Sequence, residues 1–239
     1  MKERCLIITG TIVPNAILTK HADPKIRRKE YLESLLFYSE HMDDPIYFLE
    51  NSLYDFSTDS EFQGLFCERK IKLVKFPISC EFQLGKGFQE FEMIDQFIKS
   101  LSGKYHSFVK ISGRYQYLNI KELTDFTCEG IVIDMIRRYK VAITSFFYST
   151  FDFYQEHLMD LYLEVDDSHG QWIERILYKK LRGKNYVRQV QLFPVSPIFR
   201  SIYGSSGESI DTQKNVFINH IRNIERIIFR QLFINELYI

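Results

Sequence analysis

The chain has 239 residues, of which 45% are apolar and 26% charged, so it can bury a sizeable core and is not globally disordered. Lys plus Arg and Asp plus Glu number 31 each, and this zero net charge disfavours a nucleic-acid-binding protein with a broadly basic surface. The four cysteines form no CxxC pair and the six histidines no HxH or HxxxH pair, which disfavours a zinc site and indicates reduced thiols.

The N-terminal sequence MKERCLIITG has basic residues followed by an apolar run of only about five residues, too short for the core of a signal peptide. No window reaches the roughly 18 apolar residues of a membrane span. We therefore expect a cytoplasmic protein.

Strand and helix patterns alternate along the chain. Runs of β-branched and aromatic residues predict strands at 5–13, 45–51, 70–76, 108–112 and 142–148, the third of them nearer a sheet edge. Apolar residues at helical spacing predict helices at 24–41, 88–101, 151–163 and 171–181. This alternation is typical of βαβ units, so we predict an α/β fold with a largely parallel sheet flanked by helices.

From residue 193 the composition changes. The segment PVSPIFRSIYGSSGES is rich in Pro, Ser and Gly and predicts a loop or lid. Residues 211–239 then form one long helical pattern, in which arginines accompany an apolar stripe. Such a helix could pack on the core, form a dimer contact or lie on a membrane surface. We expect one domain over 1–192, with the lid and the amphipathic helix of 193–239 packed on it.

The stretch KYHSFVKISGRYQYLNI carries the strongest functional signal. Its predicted strand ends at Ser112 and Gly113, with Lys110, Arg114 and Tyr115 around the break. Glycine allows a ligand to approach the backbone, and lysine and arginine neutralise phosphate. The alternative is a surface loop with two solvated cations, but Lys110 lies within an apolar strand, where a charge is rare unless it is paired or functional.

Three polar residues, Glu50, Asn51 and Ser52, follow the predicted second strand. Ligands of open α/β sheets bind beyond the carboxyl ends of strands, so these side chains could contact a base or a ribose. An ordinary loop start is the alternative.

A Gly-Lys-Gly triplet centred on Lys86 precedes the helix predicted at 88–101. Free backbone N–H groups, a cation and the positive end of a helix dipole suit an anion, although no Walker A motif is present. Glu90 and Glu92 would stabilise the helix start and are interpreted as structural.

Asp166 and Asp167 lie in a turn ahead of the helix predicted at 171–181. They could hold a divalent cation, or they could cap the helix, which is the more frequent use. Trp172 could stack on an acceptor sugar, and Glu174 could be a general base because an apolar neighbour raises the pKa of a carboxylate. The alternative is a core tryptophan beside a solvated glutamate.

Several short motifs together resemble the small bacterial glycosyltransferases of lipopolysaccharide O-antigen and capsule gene clusters. The motifs are LIITGTIVP, FLENSLYD, LGKGFQEFEMIDQFI, FVKISGRYQYLNI, DDSHGQWIERILYKKL and SSGES, spread over roughly residues 5–210. The resemblance implies a GT-A-like, Rossmann-type fold that transfers a sugar from a nucleotide donor to a growing glycan. Its partners would be a nucleotide-sugar donor and a lipid-linked or oligosaccharide acceptor, with no nucleic acid.

The resemblance and the positions above define the expected site. The expected donor-binding residues are Thr9, Thr11, Glu50, Asn51, Ser52, Lys86, Lys110, Ser112, Gly113 and Arg114. The expected acceptor-binding residues are Tyr115, Asp167 and Trp172.

One departure from that family concerns metal binding. Typical GT-A enzymes carry Asp-x-Asp at the end of the fourth strand, where it holds a metal on the diphosphate, but this chain reads KISGR there. A cation cannot bind a metal, yet it can neutralise the leaving phosphate directly. We therefore expect no divalent metal and no other cofactor, with Lys86, Lys110 and Arg114 as phosphate ligands.

The expected mechanism is an inverting displacement in which Glu174 deprotonates the acceptor hydroxyl, and a retaining outcome is the alternative. The C-terminal helix could hold the protein on the cytoplasmic face of the inner membrane. Two other functions remain open: another nucleotide-dependent transferase, which would normally need acidic metal ligands, and a non-catalytic scaffold of a polysaccharide assembly complex.

Overall fold

The computed structural model describes residues 3–16, 19, 21–69, 71–101, 103–182, 189–202, 209–212, 221, 223 and 224. The helices are α1 (Pro24–His41), α2 (Ser60–Glu68), α3 (Lys86–Ser100), α4 (Ile120–Thr124), α5 (Phe151–His157) and α6 (Ile173–Leu181). The strands are β1 (Arg4–Gly10), β2 (Ile46–Glu50), β3 (Ile71–Lys75), β4 (Ser107–Ser112), β5 (Gln116–Tyr117), β6 (Ile131–Ile136), β7 (Val141–Thr150), β8 (Val190–Gln191), β9 (Phe199–Ile202) and β10 (Ser209–Asp211).

The chain folds as an α/β protein around a seven-stranded sheet with the order β3-β2-β1-β4-β7-β6-β8. Strands β3, β2, β1 and β4 run parallel, and β3 lies at the edge, as its alternating charges predict. Because parallel strands need crossover connections, α1, α2 and α3 return the chain between them. The prediction of a mostly parallel sheet flanked by helices is confirmed.

The second half of the sheet departs from the parallel pattern. Strand β7 runs antiparallel to both β4 and β6, and β6 pairs in parallel with the short β8. The sequence pattern did not predict this reversal or β6 itself. A buried apolar run such as IVIDMI marks a strand but carries no information about its direction.

Both faces of the sheet are covered by apolar side chains. Cys5 and Ile7 of β1 pack in one buried cluster with α3, α5 and α6, whereas Leu6 and Ile8 pack in the other with α1 and α2. Because successive side chains of a strand point to opposite faces, a strand buried on both faces reads as a continuous apolar run. This explains the unbroken run CLII in β1.

Helix α1 forms where the sequence places it, at Pro24–His41. The Asp23 carboxylate accepts a hydrogen bond of 2.8 Å from the backbone N–H of Lys25, and Pro24 occupies the first helical position. By contrast, the helix predicted at 151–163 ends at His157, because Asp160 has a left-handed φ of 63°.

The predicted lid is partly a strand. Phe199–Ile202 forms β9, which pairs antiparallel with β5 and β10 in a small second sheet. Residues 203–208, which include all of the SSGES motif except Ser209, lie outside the described residues. So does most of the predicted C-terminal helix, and Asp211, where that helix was expected to start, belongs to β10. Among the helices that the structure describes, none is long and apolar enough to cross a membrane.

Candidate functional site

A cavity of about 360 Å³ lies at the carboxyl ends of β1 and β4, the two central parallel strands. This is the edge at which open α/β sheets bind ligands. Its walls come from the loop after β1, helix α1, and the first turns of α3 and α6. The residues lining it are Thr9, Gly10, Thr11, Pro14, Asn15, Ala16, Thr19, Arg27, Tyr31, Lys86, Gln89, Glu90, Met93, Ser112, Gly113, Arg114, Tyr115 and Glu174.

The cavity floor is formed by the close approach of the chain after β4 to the end of β1. The backbone N–H of Gly113 donates a hydrogen bond of 2.8 Å to the carbonyl oxygen of Thr9. A Cβ at Gly113 would lie 2.7 Å from that same carbonyl oxygen. The site thus requires glycine here because the adjacent backbone leaves no room for a side chain.

We expect Gly113→Ala to lower the free energy of unfolding by about 1–3 kcal/mol, the usual cost of forcing extra atoms into a packed site. The matched control is Gly64→Ala in α2, where a Cβ meets no atom within 4 Å. That substitution should raise stability by about 0.5–1 kcal/mol, because alanine favours a helix over glycine. Denaturant unfolding of both variants measures the difference, and an equal effect on the two would contradict the close approach.

Helix α1 holds the loop after β1 against the cavity. The buried Arg27 guanidinium donates from Nε to the carbonyl oxygen of Thr11 at 2.8 Å, and the Tyr31 hydroxyl accepts from the Thr11 N–H at 3.0 Å. Arg114 donates to Glu30 Oε2 at 3.1 Å, which fixes its guanidinium at the cavity wall. The donor-binding candidates Thr11 and Arg114 are therefore brought together by contacts of α1.

One face of α3 lines the cavity, because Lys86, Gln89, Glu90 and Met93 have the spacing of a single helix face. Lys86 is half-buried; burial lowers its pKa, and the charges of Asp167 and Glu174 oppose that effect. Within the part of the chain that the structure describes, the Lys86 ammonium has no hydrogen-bond or ion-pair partner. It is a desolvated cation at a helix N-terminus, which suits an anionic group.

The Glu90 carboxylate is held by three donors. Its Oε1 accepts from Thr9 Oγ1 at 2.5 Å, from Ser112 Oγ at 3.2 Å and from the ammonium of Lys110 at 2.7 Å. Lys110 itself is fully buried and also donates to the Thr144 carbonyl oxygen at 2.7 Å. No donor to Glu90 Oε2 is found among the described residues, so this oxygen keeps its capacity to accept a ligand hydroxyl.

Glu174 enters the cavity from the first turn of α6. Its Oε1 accepts a hydrogen bond of 3.3 Å from Thr144 Oγ1 of β7. Burial raises the pKa of Glu174, and the nearby charges of Glu90 and Asp167 raise it further. A carboxylate with a raised pKa in a cavity is suited to accept a proton near neutral pH.

The structure places eight of the predicted site residues in the cavity wall: Thr9, Thr11, Lys86, Ser112, Gly113, Arg114, Tyr115 and Glu174. Lys110 is not among the lining residues and lies behind Glu90. Glu50, Asn51, Ser52, Asp167 and Trp172 also lie outside the cavity lining.

Glu50 and its neighbours hold the loop after β1 in place. The buried Glu50 carboxylate accepts from the Ile12 N–H at 2.9 Å and pairs with Lys75 at 2.5 Å. Asn51 Oδ1 accepts from Thr11 Oγ1 at 2.6 Å, and Ser52 Oγ accepts from the Val13 N–H at 3.2 Å. Glu50, Asn51 and Ser52, which the sequence pattern assigned to binding of the nucleotide-sugar donor, thus form hydrogen bonds within the protein.

Asp166 and Asp167 do not cap α6, the helix that follows them and whose N-cap residue is Trp172. Asp166 accepts from the backbone N–H groups of Ser168 and His169, whereas Asp167 accepts from the Lys86 N–H at 3.1 Å. The capped helix is α3, not α6. Trp172 is 41% exposed and is not a core residue, and the Arg175 guanidinium lies 4.3 Å from its ring centroid.

The position after β4 does not fit a divalent metal. It presents the Arg114 guanidinium, which repels a cation, where Asp-x-Asp would supply oxygen ligands. Over the described residues, no group of three or more His, Cys, Asp or Glu side chains is arranged to hold a metal.

The sequence pattern missed ten of the 18 cavity-lining residues, and four of these have large polar side chains: Arg27, Tyr31, Gln89 and Glu90. Glu90 was interpreted as stabilising the helix start, but it lies four residues after Lys86 and therefore on the same helix face. That spacing was the available signal. Arg27 and Tyr31 gave none, because only the packing of α1 on the loop after β1 brings them to the cavity.

Among solved structures, the fold is similar to that of a candidate nucleotide-diphospho-sugar transferase from Desulfovibrio desulfuricans. The TM-score is 0.52 at 11% sequence identity, and the match covers 81% of this chain and 80% of that chain. At this identity the similarity establishes the fold alone.

Weaker similarity is found to two other structures. The 4-diphosphocytidyl-2C-methyl-D-erythritol synthase of Anaerococcus prevotii matches with a TM-score of 0.49 at 12% identity, over 94% of this chain and 97% of that chain. Mouse xyloside xylosyltransferase 1 in its apo form matches with a TM-score of 0.45 at 9% identity, over 80% of this chain and 85% of that chain. No family model matches the chain, and no curated protein matches its sequence.

Proposed function

We propose that this protein is a glycosyltransferase that moves a sugar from a nucleotide-sugar donor to an acceptor hydroxyl. The observation that carries the proposal is that Lys86, Arg114 and Glu174 line one cavity at the carboxyl ends of the parallel strands. Two cations suit a diphosphate, and a carboxylate with a raised pKa suits an acceptor proton. The fold shared with a candidate nucleotide-diphospho-sugar transferase is consistent with this assignment.

In the proposed reaction, the acceptor oxygen attacks the anomeric carbon of the donor sugar while its proton passes to Glu174. The bond from the anomeric carbon to the diphosphate oxygen breaks, and the nucleoside diphosphate leaves with that electron pair. A single displacement of this kind inverts the anomeric configuration. Lys86 and Arg114 neutralise the charge that develops on the leaving oxygen.

We also propose a contact for the donor sugar, a reaction without metal and a class of acceptor. Glu90 Oε2 would accept a hydroxyl of the donor, since its partner oxygen is already held by three donors. The reaction would proceed without a divalent metal, because Arg114 stands where the metal ligands of related folds are expected. The acceptor would be a growing surface glycan of the O-antigen or capsule type, lipid-linked or oligosaccharide, as the resemblance of the motifs implies.

The test is a thermal-shift screen against UDP, GDP, CMP and their sugar conjugates, each with and without excess chelator. A ligand at about 100 times its dissociation constant stabilises a protein by roughly 2.7 kcal/mol, which is easily detected. A shift with one nucleotide family that survives chelator would support the proposal. If the thermal shift required Mg²⁺ or Mn²⁺, the proposal that the reaction needs no metal would be wrong. If no donor shifted the melting temperature, the result would favour the non-catalytic scaffold.

We expect Lys86→Ala to weaken binding of the cognate nucleoside diphosphate about tenfold to a hundredfold, because a charge-assisted hydrogen bond contributes about 1.5–3 kcal/mol. Binding of the matching nucleoside, which has no phosphate, should be nearly unchanged. Titration calorimetry measures both constants. The control is Lys121→Ala on α4, which removes an exposed lysine that is not part of the cavity lining. Equal weakening of nucleoside and nucleoside diphosphate would contradict the phosphate role of Lys86.

A further inference from the structure

The turn between β6 and β7 presents five consecutive exposed residues, 136–140, which we call the hairpin tip. Ile136 is 39% and Tyr139 61% exposed, and the other three residues are Arg137, Arg138 and Lys140. The Arg138 guanidinium lies 5.6 Å from the centroid of the Tyr139 ring. Two large apolar side chains among three cations form an amphipathic surface that faces solvent.

The charge of the tip is concentrated, although the chain as a whole has a net charge of zero. Asp134 is the only acidic residue in the sequence between 131 and 150. In the described part of the chain, neither Arg138 nor Lys140 forms an ion pair with a carboxylate. These cations therefore remain available to an anionic partner.

The strand register places the hairpin tip on the same edge of the sheet as the cavity. Pairing of β4 with β7 ends at Ile111 and Phe146, so five residues of β7 continue past it to the tip. At about 3.3 Å per residue, the tip lies roughly 16 Å beyond this last pair. Thr144, in that extension, donates a hydrogen bond to Glu174 of the cavity lining, so the hairpin directly contacts the cavity wall.

A second pair of an aromatic ring and a cation lies on this edge. Trp172 comes directly before α6, two residues ahead of Glu174, and the Arg175 guanidinium stacks on its exposed ring. Tryptophan and tyrosine are enriched where a protein meets the membrane–water interface, because their rings are apolar with one polar atom. Nucleic-acid phosphates would use the cations but would not explain the exposed isoleucine.

We propose that the hairpin tip, with Trp172 and Arg175, docks this edge of the protein on an anionic phospholipid bilayer. The cations contact lipid phosphates, and Ile136 and Tyr139 enter the headgroup region. Docking does not depend on the proposed transferase activity. If that activity holds, docking would bring the cavity mouth to an acceptor carried at the membrane surface.

The experiment is co-sedimentation of the full chain with vesicles of phosphatidylcholine alone or of equal parts phosphatidylcholine and phosphatidylglycerol. Each cation near an anionic surface contributes about a factor of five to binding, so Arg138 and Lys140 together give roughly a 25-fold preference for the anionic vesicles. Arg138→Glu with Lys140→Glu should abolish that preference, and Tyr139→Ser should weaken binding to the anionic vesicles. High salt should reduce binding to them.

The matched control is Lys179→Glu with Lys180→Glu, which makes the same charge change in the last turn of α6, away from the cavity edge. It should keep the preference for anionic vesicles. The proposal would be overturned if both double variants lost the preference for anionic vesicles equally, or if the unaltered protein did not bind anionic vesicles. Equally strong tip-dependent binding to an oligonucleotide would also overturn it, in favour of a nucleic-acid surface. Nucleoside diphosphate binding, measured on the same variants, reports separately on the proposed function.

Discussion

Glu174→Gln is expected to lower turnover by about a hundredfold to ten-thousandfold, the usual contribution of a general base. The amide keeps the size of the side chain but cannot take the acceptor proton. Binding of nucleoside diphosphate should be retained, because the proposed phosphate ligands are Lys86 and Arg114. The measurement pairs the turnover number at saturating donor with the dissociation constant of the nucleoside diphosphate.

The pH dependence provides a second measurement of the same role. Burial raises the pKa of Glu174 above the ordinary value of 4.5, with the charge of Glu90 adding to the effect. A base works in its ionised form, so turnover should fall as the pH drops through this raised pKa. The residual activity of Glu174→Gln should lack that acidic limb. A variant with near-wild-type turnover and an unchanged pH profile would contradict the assignment.

Stability separates this catalytic role from a structural one. Because the folded-state pKa of Glu174 is raised, the ionised carboxylate costs stability at pH values above it. Glu174→Gln should therefore leave the free energy of unfolding at neutral pH unchanged or higher. Glu164→Gln, at an exposed glutamate, is the control and should change neither turnover nor stability. Lost activity with retained stability is the result expected of a base.

The first half of the fold was predictable because its signals are local. The bounds of α1 follow from a capping aspartate and a proline at the first helical position. Strands β1 to β4 follow from apolar runs that end in polar residues or glycine. The direction of β7 and the pairing of β9 with β5 depend on contacts distant in sequence. Patterns of neighbouring residues do not encode those contacts.

The candidate site was predictable where a residue type and its position in an element together indicate ligand binding. A glycine after a buried strand and a lysine at a helix start both pointed to the cavity that Gly113 and Lys86 line. Position alone misled at Glu50, which also lies at the carboxyl end of a parallel strand but pairs with Lys75. The sequence alone does not distinguish a carboxylate that pairs with a residue of the same protein from one that binds a ligand. Lys110 was expected to bind phosphate, but in the structure its buried ammonium pairs with Glu90 and does not line the cavity.

Lys110→Met is expected to lower the free energy of unfolding by about 3–5 kcal/mol, the cost of breaking a buried ion pair. The change leaves the Glu90 carboxylate without its cation in a partly buried position. The matched control is Lys99→Met. Lys99 forms an ion pair with Asp160 in which both side chains are exposed. That substitution should cost only about 0–1 kcal/mol. Denaturant unfolding at neutral pH measures both variants.

A double variant then separates ion pairing from direct phosphate binding at Lys110. Adding Glu90→Gln removes the unpaired charge, so Lys110→Met with Glu90→Gln should be more stable than Lys110→Met alone, with a coupling energy of about 0.5–3 kcal/mol. If Lys110 instead contacted phosphate, its single variant would keep its stability and lose nucleoside diphosphate binding. Because the Lys110 ammonium already contacts Glu90, Ser112 and Thr144, we expect coupling to Glu90. Lys110 would then act on a ligand only by fixing the Glu90 carboxylate that lines the cavity.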